Sequence, residues 1–236
     1  MTKSKVIFKI NKQLDKEMAL EFLNVQAGGI DFNSGIFEVH PELSILKSTR
    51  NKDDKKKIID KHFNNFYYKY KEYLEKRVKE FQREWDLVEK GFFNEAFQIF
   101  KNFSFKSHKY TGYLSIIDCN PRFLKNKSFQ VFYMHPQGVR YVTSHEVLHF
   151  IFFDYALIKF PKLFKKLKTE SGSFWDLSEI FNSVMHQQKS FIKIHDKVSN
   201  YFYPEHKKYL SKAEDYWQQY HDIDQWIEGM YNYLNK

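Results

Sequence analysis

Residues 139–158 constrain the fold more than any other stretch of this chain, because apolar side chains occupy most of its positions. Polar residues interrupt the stretch, so no apolar run approaches the length that spans a bilayer. It has the length of a helix in a protein core, and we expect Thr143 or Ser144 to cap it. Such a helix should run to about Ile158 and end before Phe160-Pro161. The rest of the chain must then fold around a buried helix.

Three of the polar residues in this stretch, His145, Glu146 and His149, form an HExxH motif. Imidazoles four residues apart lie on one face of a helix, about one turn from each other, so both can bind a single ion. Neutral His nitrogens are good zinc ligands. Glu146 is then beside the ion, where it can accept a proton from the metal-bound water as that water attacks a carbonyl.

A purely structural interpretation competes with the metal site. In it, the two His are hydrogen-bonded core residues and the Glu forms a salt bridge. An HExxH can also arise by chance in a chain with ten His. However, the flanking residues are apolar on nearly every face of the helix, and burying these polar groups is costly unless they have partners. A bound metal ion provides that partner, so we favour the metal site.

The spacing of a third ligand distinguishes the known classes of HExxH site. In metzincins the third ligand is a His six residues after the second His, and that position is Tyr155 here, with Phe152 where the metzincin pattern has glycine. A ligand from a later helix is the remaining arrangement. Glu179 fits, because it lies thirty residues after His149 within an apolar helical pattern where a carboxylate needs a partner.

Three other residues compete with Glu179 for the role of third ligand. Glu170 lies in a polar loop, and Asp176 is better explained as a helix N-cap. His186 lies two turns after Glu179 on the same helix face, and it could equally contact substrate.

With Glu179 downstream, the HExxH motif resembles that of the gluzincin clan of zinc peptidases, both the thermolysin-like architecture and its minimal versions. The resemblance covers about Ile116–Met185. It implies a zincin-like fold and one Zn²⁺ per chain, bound by His145, His149 and Glu179. It also implies a peptide or protein substrate and Glu146 as the general base.

The resemblance makes further residues candidates for the site. Gluzincins bind extended peptide along a strand upstream of the active-site helix, and Ile116–Asn120 matches that strand by spacing. The family often carries an Asp one turn after the Glu ligand, which holds a metal-ligand His, whereas this chain has Asn182 and Ser183 there. We expect Asn182 to orient His145 through its side-chain oxygen. His186 is a candidate for contacting the substrate oxygen.

The remaining sequence predicts an α+β fold with a small mixed sheet, a backing helix and the active-site helix, followed by a helical C-terminal lobe. Residues 1–160 would form the mixed upper lobe and residues 161–236 the helical lower lobe with the third ligand, together one catalytic domain. The predicted strands are Val6–Ile10, Ile36–Val39, Tyr113–Ile117 and Phe129–Tyr133. The other predicted helices are Asp15–Asn24 with Asp15 as N-cap, Asp53–Phe103 with a break near Gly91, Asp176–Lys193 and Glu205–Leu234.

The formal net charge of +9 raises nucleic acid or an acidic membrane surface as partners. Nearly all the basic residues are Lys, with only five Arg, and Lys, Asn, Phe, Tyr and Ile are abundant together. An AT-rich genome produces that composition, and specific phosphate recognition tends to use Arg. Nucleic acid is therefore not the favoured partner.

Two observations favour a cytoplasmic location. The N-terminus lacks the continuous apolar run of a signal peptide, and the single cysteine, Cys119, cannot form an internal disulfide.

Given the HExxH motif and Glu179, a zinc metallopeptidase is our first interpretation of the function. The alternative is a zincin-like metal-binding module with little or no turnover that acts on nucleic acid or protein through its basic surface.

Overall fold

The computed structural model describes residues 4–198 and 203–235 and has a mixed α/β architecture. The strands are β1 (Lys5–Ile10), β2 (Gln26–Ala27), β3 (Ile30–Asp31), β4 (Lys109–Ser115), β5 (Arg122–Phe123) and β6 (Ser128–Phe132). The helices up to the HExxH motif are α1 (Lys12–Glu21), α2 (Ser34–Phe37), α3 (Lys52–Lys69), α4 (Lys71–Asp86), α5 (Glu89–Ile99) and α6 (Gly138–Lys159). The later helices are α7 (Pro161–Phe164), α8 (Ser173–His186), α9 (Lys189–His195), α10 (Lys207–Tyr220) and α11 (Ile223–Leu234).

A four-stranded mixed sheet has the order β1-β4-β6-β5. Strands β1, β4 and β6 are parallel to one another, and β5 runs antiparallel to β6. Every residue of β6 is buried, as expected for a strand covered on both faces. Gly112 in β4 has no room for a side chain, because an added Cβ would lie 2.5 Å from Cε1 of Phe8. The small mixed sheet predicted from the sequence is confirmed.

The central helix α6 has 22 residues, and fifteen of its side chains are buried. It packs against β6, α4, α8 and α9, so elements of both halves of the chain surround it. The helix begins at Gly138, directly after a turn in which the Gly138 N–H bonds to the His135 carbonyl. The predicted cap at Thr143 or Ser144 is therefore wrong, and the Ser144 hydroxyl instead donates to the Tyr141 carbonyl within the helix.

The helix predicted over Asp53–Phe103, with one break near Gly91, is three helices, α3, α4 and α5. The first break is at Tyr70, whose backbone is not helical (φ −107, ψ 19). The second break separates α4 from α5, and Gly91, where we predicted the break, lies inside α5. Apolar spacing did not reveal the first break because Phe66, Tyr70 and Leu74 keep the helical interval across it.

The first helix begins earlier than predicted, at Lys12, with Asn11 as the N-cap. The prediction that Asp15 caps this helix is wrong, because Asp15 is fully buried inside it. Asp15 accepts hydrogen bonds from four groups: the Tyr67 hydroxyl (2.5 Å), the Ser115 hydroxyl (2.7 Å), the Ile116 N–H (2.9 Å) and the Gln130 side-chain amide. This carboxylate therefore connects α1 to α3, β4 and β6.

Two predicted strands are absent from the described structure. Residues 34–37 form the short helix α2, so the strand predicted over Ile36–Val39 is wrong. The strand Ile116–Asn120, expected to bind substrate, is also wrong, because β4 ends at Ser115 and the chain turns. The edge strand of the sheet beyond β6 is the short β5.

After Pro161 the described residues form helices and turns, as predicted for the C-terminal part of the chain. The helix predicted over Asp176–Lys193 is divided into α8 and α9 by Gln187-Gln188. The last predicted helix, Glu205–Leu234, is divided into α10 and α11 at His221, which has a left-handed backbone (φ 45). Among the described residues, no helix combines the length and the hydropathy that a membrane span requires.

Candidate metal centre

Two helices carry the three predicted metal ligands. His145 and His149 lie one turn apart on α6, and Glu179 lies on α8 where that helix packs against α6. The exposed fractions of the side chains are 0% for His149, 2% for Glu179 and 17% for His145. The group is therefore buried and is reached from solvent on the His145 side.

The three donor atoms of these residues form a nearly equilateral triangle. The Nε2 atoms of His145 and His149 are 3.0 Å apart, and Oε2 of Glu179 is 3.3 Å from each of them. A tetrahedral zinc ion with ligand bonds of about 2.0–2.1 Å holds its donor atoms about 3.3 Å apart. The spacing of the triangle therefore fits one zinc ion.

Hydrogen bonding alone leaves nitrogen atoms of this triangle without partners. Two neutral imidazoles that both donate from Nε2 to Oε2 of Glu179 would bring their N–H groups together across the 3.0 Å gap, and an imidazole that instead accepts through Nε2 carries its proton on Nδ1. The Nδ1 atoms of both His145 and His149 are buried without a hydrogen-bond partner. A buried donor without an acceptor costs about 1–3 kcal/mol. A cation at the centre would accept a lone pair from each of the three donor atoms, so the donor set suits a metal ion.

Burial and neighbouring charges set the protonation of the group. Burial lowers the pKa of His149 to about 3, so its imidazole is neutral at pH 7 and able to bind a metal. Burial acts to raise the pKa of Glu179, but His149, Arg122 and His145 together hold that pKa well below its usual range. The triangle therefore presents a neutral His149 imidazole and an ionised carboxylate.

Glu146, the predicted general base, lies next to the triangle and lines a cavity of about 250 Å³. Its side chain is 6% exposed and its Oε2 atom has no hydrogen-bond partner. Burial raises the pKa of Glu146 to about 7, against the opposing effects of His145 and Arg122. His145 lines the same cavity, so the predicted base and the most exposed predicted ligand face the same space.

The two further candidates on α8 lie close to the triangle but make few polar contacts. The Asn182 amide donates to the Ser178 carbonyl at 3.4 Å, while its Oδ1 is buried without a partner, so it makes no hydrogen bond to His145. His186 is 1% exposed and does not line the cavity. Its ring packs against Tyr141, with 4.4 Å between ring centroids, and against His145 at 5.6 Å.

Neither of the two acidic rivals of Glu179 joins the triangle. Glu170 is exposed in the loop before α8. Asp176 is not the N-cap of α8, since Gly172 occupies that position and Asp176 lies in the first turn. Its Oδ1 atom is 2.8 Å from Nε2 of His206, which connects the start of α8 to the turn before α10.

Three further residues near the triangle did not stand out in the sequence. Arg122 on β5 donates from Nη1 to Oε1 of Glu179 at 3.0 Å. Tyr141 and His135 line the cavity with Glu146. Tyr141 could have been found, because it lies one turn before His145 on the same helix face. His135 was interpreted only as part of a turn, and no local pattern pairs Arg122 with a residue 57 positions away.

Within residues 4–198 and 203–235, His145, His149 and Glu179 are the one group of three or more His, Cys, Asp or Glu side chains whose donor atoms all lie within 4.8 Å of one another. Its members come from two helices that are adjacent in space and separated in sequence, so the fold creates the group. Comparison of the chain with protein families, with curated proteins and with solved structures finds no match.

Proposed function

We propose that this chain is a zinc-dependent metallopeptidase of the gluzincin type with a zincin-like fold. The observation that carries the proposal is the triangle of His145 Nε2, His149 Nε2 and Glu179 Oε2, with sides of 3.0–3.3 Å. Its spacing suits one tetrahedral zinc ion and uses three protein ligands, which leaves a fourth position for water or substrate, as in catalytic zinc sites.

Each residue of the motif then has a defined role. His145, His149 and Glu179 would hold the ion, and when bound the ion would supply Lewis acidity and an activated water. Glu146 would accept a proton on Oε2 as water adds to the peptide carbonyl, and would then donate that proton to the departing amine nitrogen. The peptide bond would thus be exchanged for a carboxylate and an amine.

The position of the cavity supports a substrate site next to the triangle. Glu146 and His145 line it together with Asp118, Asn120 and His135. Its volume of about 250 Å³ is enough for a side chain or a short segment of an extended peptide. We therefore propose a peptide or protein substrate, whose scissile carbonyl would lie between Glu146 and the triangle.

The alternative is a metal-binding module that acts through its basic surface. Four exposed lysines near α7 give that surface its charge: Lys162, Lys165, Lys166 and Lys168. Such a module would need zinc but not Glu146.

For either function we propose a cytoplasmic location. The single buried cysteine, Cys119, is compatible with a reducing compartment.

The decisive experiment compares the wild type with Glu146→Gln. Zinc content would be measured by atomic emission after reconstitution, and hydrolysis with a library of fluorescence-quenched peptides. We expect one zinc per chain in both proteins and a loss of about 10²–10⁴-fold in the hydrolysis rate of the variant. Glu170→Gln, at an exposed loop position, is the matched control and should leave both measurements unchanged.

The two functions give different results in this experiment. A binding module would retain stoichiometric zinc and hydrolyse no peptide in either protein. Hydrolysis that persists in Glu146→Gln would contradict the role of Glu146, and a wild type that takes up no zinc would contradict both versions.

A further inference from the structure

Arg122 is a partly buried cation that contacts both acidic residues of the candidate centre. Its side chain is 12% exposed, and its Nη1 atom lies 3.0 Å from Oε1 of Glu179 and 3.9 Å from Oε2 of Glu146. Its guanidinium group also lies 5.8 Å from the ring centroid of Phe153 on α6. No Lys or other Arg of the described chain lies within 4 Å of either carboxylate; these ion pairs are made by Arg122 and, for Glu179, by the two imidazoles.

The contact divides the two oxygens of Glu179 between different partners. Oε1 accepts the hydrogen bond from Arg122, whereas Oε2 is 3.3 Å from the Nε2 atom of each imidazole. A carboxylate can bind zinc through one oxygen or both, and with both it would take up the position needed for water or substrate. A strong hydrogen-bond donor on one carboxylate oxygen favours binding of the metal ion through the other oxygen.

Arg122 does not by itself satisfy the group around Glu179. It donates to Oε1 alone, so Oε2 faces only the Nε2 atoms of the two imidazoles, at 3.3 Å from each. The Nε atom of Arg122 is itself buried without a hydrogen-bond partner, so the guanidinium is held there with one of its own donors unsatisfied.

We propose that Arg122 is a positioning residue of the metal centre, which holds Glu179 so that it binds the ion through Oε2 only. This inference rests on the proposed metal site. A hydrogen-bonded neighbour of a metal-ligand carboxylate fixes the orientation of that ligand, and its loss typically weakens metal binding by about 10–100-fold. Arg122 thereby keeps three protein ligands on the ion and one position open towards the cavity.

Cobalt substitution tests the proposal without depending on catalysis. Co²⁺ often replaces Zn²⁺ in such sites, and its visible absorption is strong when four-coordinate and weaker when five-coordinate. We expect the wild type to give the intense four-coordinate spectrum. In Arg122→Met, Glu179 is free to bind through both oxygens, so the absorption should fall severalfold. Arg122→Lys keeps a cationic donor near Oε1 and should restore the wild-type spectrum.

The possible outcomes separate this inference from the proposed function. If the wild type binds neither Co²⁺ nor Zn²⁺, the proposed metal site itself is wrong. If the wild type binds Co²⁺ and Arg122→Met gives the same spectrum, Arg122 does not position Glu179 and the inference is wrong. Should Arg122→Met fail to fold, as judged by far-ultraviolet circular dichroism, Arg122→Leu removes the same donor with a differently shaped apolar side chain, and the same spectral change is expected of it.

Discussion

The hydroxyl of Tyr155 donates a 2.5 Å hydrogen bond to Oδ1 of Asp224, which connects α6 directly to α11. Tyr155 occupies the position, six residues after His149, at which metzincins have their third His. Because α6 continues without a break to Lys159, residue 155 lies about 240° around the helix from His149. Its side chain therefore packs towards the C-terminal helices, and the third ligand has to come from another element.

This geometry predicts that a His at position 155 is unable to replace Glu179. We expect Glu179→Ala to weaken zinc binding, and the double variant Glu179→Ala/Tyr155→His to bind no more tightly than Glu179→Ala alone. Zinc affinity would be measured by competition with a chromophoric chelator. Recovery of wild-type affinity in the double variant would show that position 155 can reach the ion, contrary to the structure.

Substitutions of Glu179 should themselves follow an order of affinity. Glu179→Ala removes one of three protein ligands, and we expect a larger loss than the roughly 10–100-fold that follows from losing a neighbouring hydrogen-bond partner. Glu179→Gln should be intermediate, because a neutral amide oxygen is a poorer zinc ligand than a carboxylate. The same chelator competition measures both, with Glu170→Ala as control. Equal affinities for wild type and Glu179→Ala would exclude Glu179 as a ligand.

Loss of both imidazoles should remove the effect of zinc on stability. An ion that binds only the folded state stabilises it by about 4 kcal/mol when present at a thousand times its Kd. We expect zinc to raise the thermal unfolding midpoint of the wild type and to leave that of His145→Ala/His149→Ala unchanged. His62→Ala, which removes an imidazole on α3, is the control and should respond to zinc as the wild type does. A zinc-dependent shift that survives the double substitution would place the ion elsewhere.

The buried Asp15 predicts a pH dependence of stability that is independent of metal. Burial raises its pKa from 3.8 to about 6, in spite of the hydrogen bonds from Tyr67, Ser115, Ile116 and Gln130. The folded state therefore binds a proton more tightly than the unfolded state does. The stability that this proton contributes is complete below pH 3.8 and is lost as the pH rises through 6.

Asp15→Asn isolates that contribution, because it removes the titrating group and leaves the other groups in place. We expect the free energy of unfolding of the wild type, relative to the variant, to fall by about 1 kcal/mol between pH 5 and pH 7. Urea denaturation of both proteins at each pH measures the difference. A difference that stays constant, or that grows with pH, would contradict a raised pKa for Asp15.

The sequence was sufficient to predict the residues of the triangle because each lies in a strongly apolar local pattern. A buried His or Glu without a partner is costly, so His149 and Glu179 stand out from the apolar residues around them in the sequence. Their approach to 3.3 Å depends on how α6 packs against α8, which no local pattern specifies.

Features that depend on tertiary packing were not predictable in the same way. The break at Tyr70 and the left-handed residue His221 interrupt helices whose apolar spacing continues on both sides. Asp15 has the sequence context of a cap, but its partners Ser115 and Gln130 follow it by about a hundred residues. An acidic residue at the start of a helix is interpreted as a cap unless those distant donors are known.

The burial of α6 has a consequence for how the protein opens. A helix at a surface exchanges its amide hydrogens with solvent by local fraying, whereas α6 is enclosed by β6, α4, α8 and α9. Its backbone hydrogen bonds can break only when these neighbours separate, which amounts to unfolding most of the chain. Deuterium uptake along the middle of α6 should therefore be among the slowest in the molecule. The backbone that carries His145 and His149 would therefore keep its helical geometry until those neighbours separate.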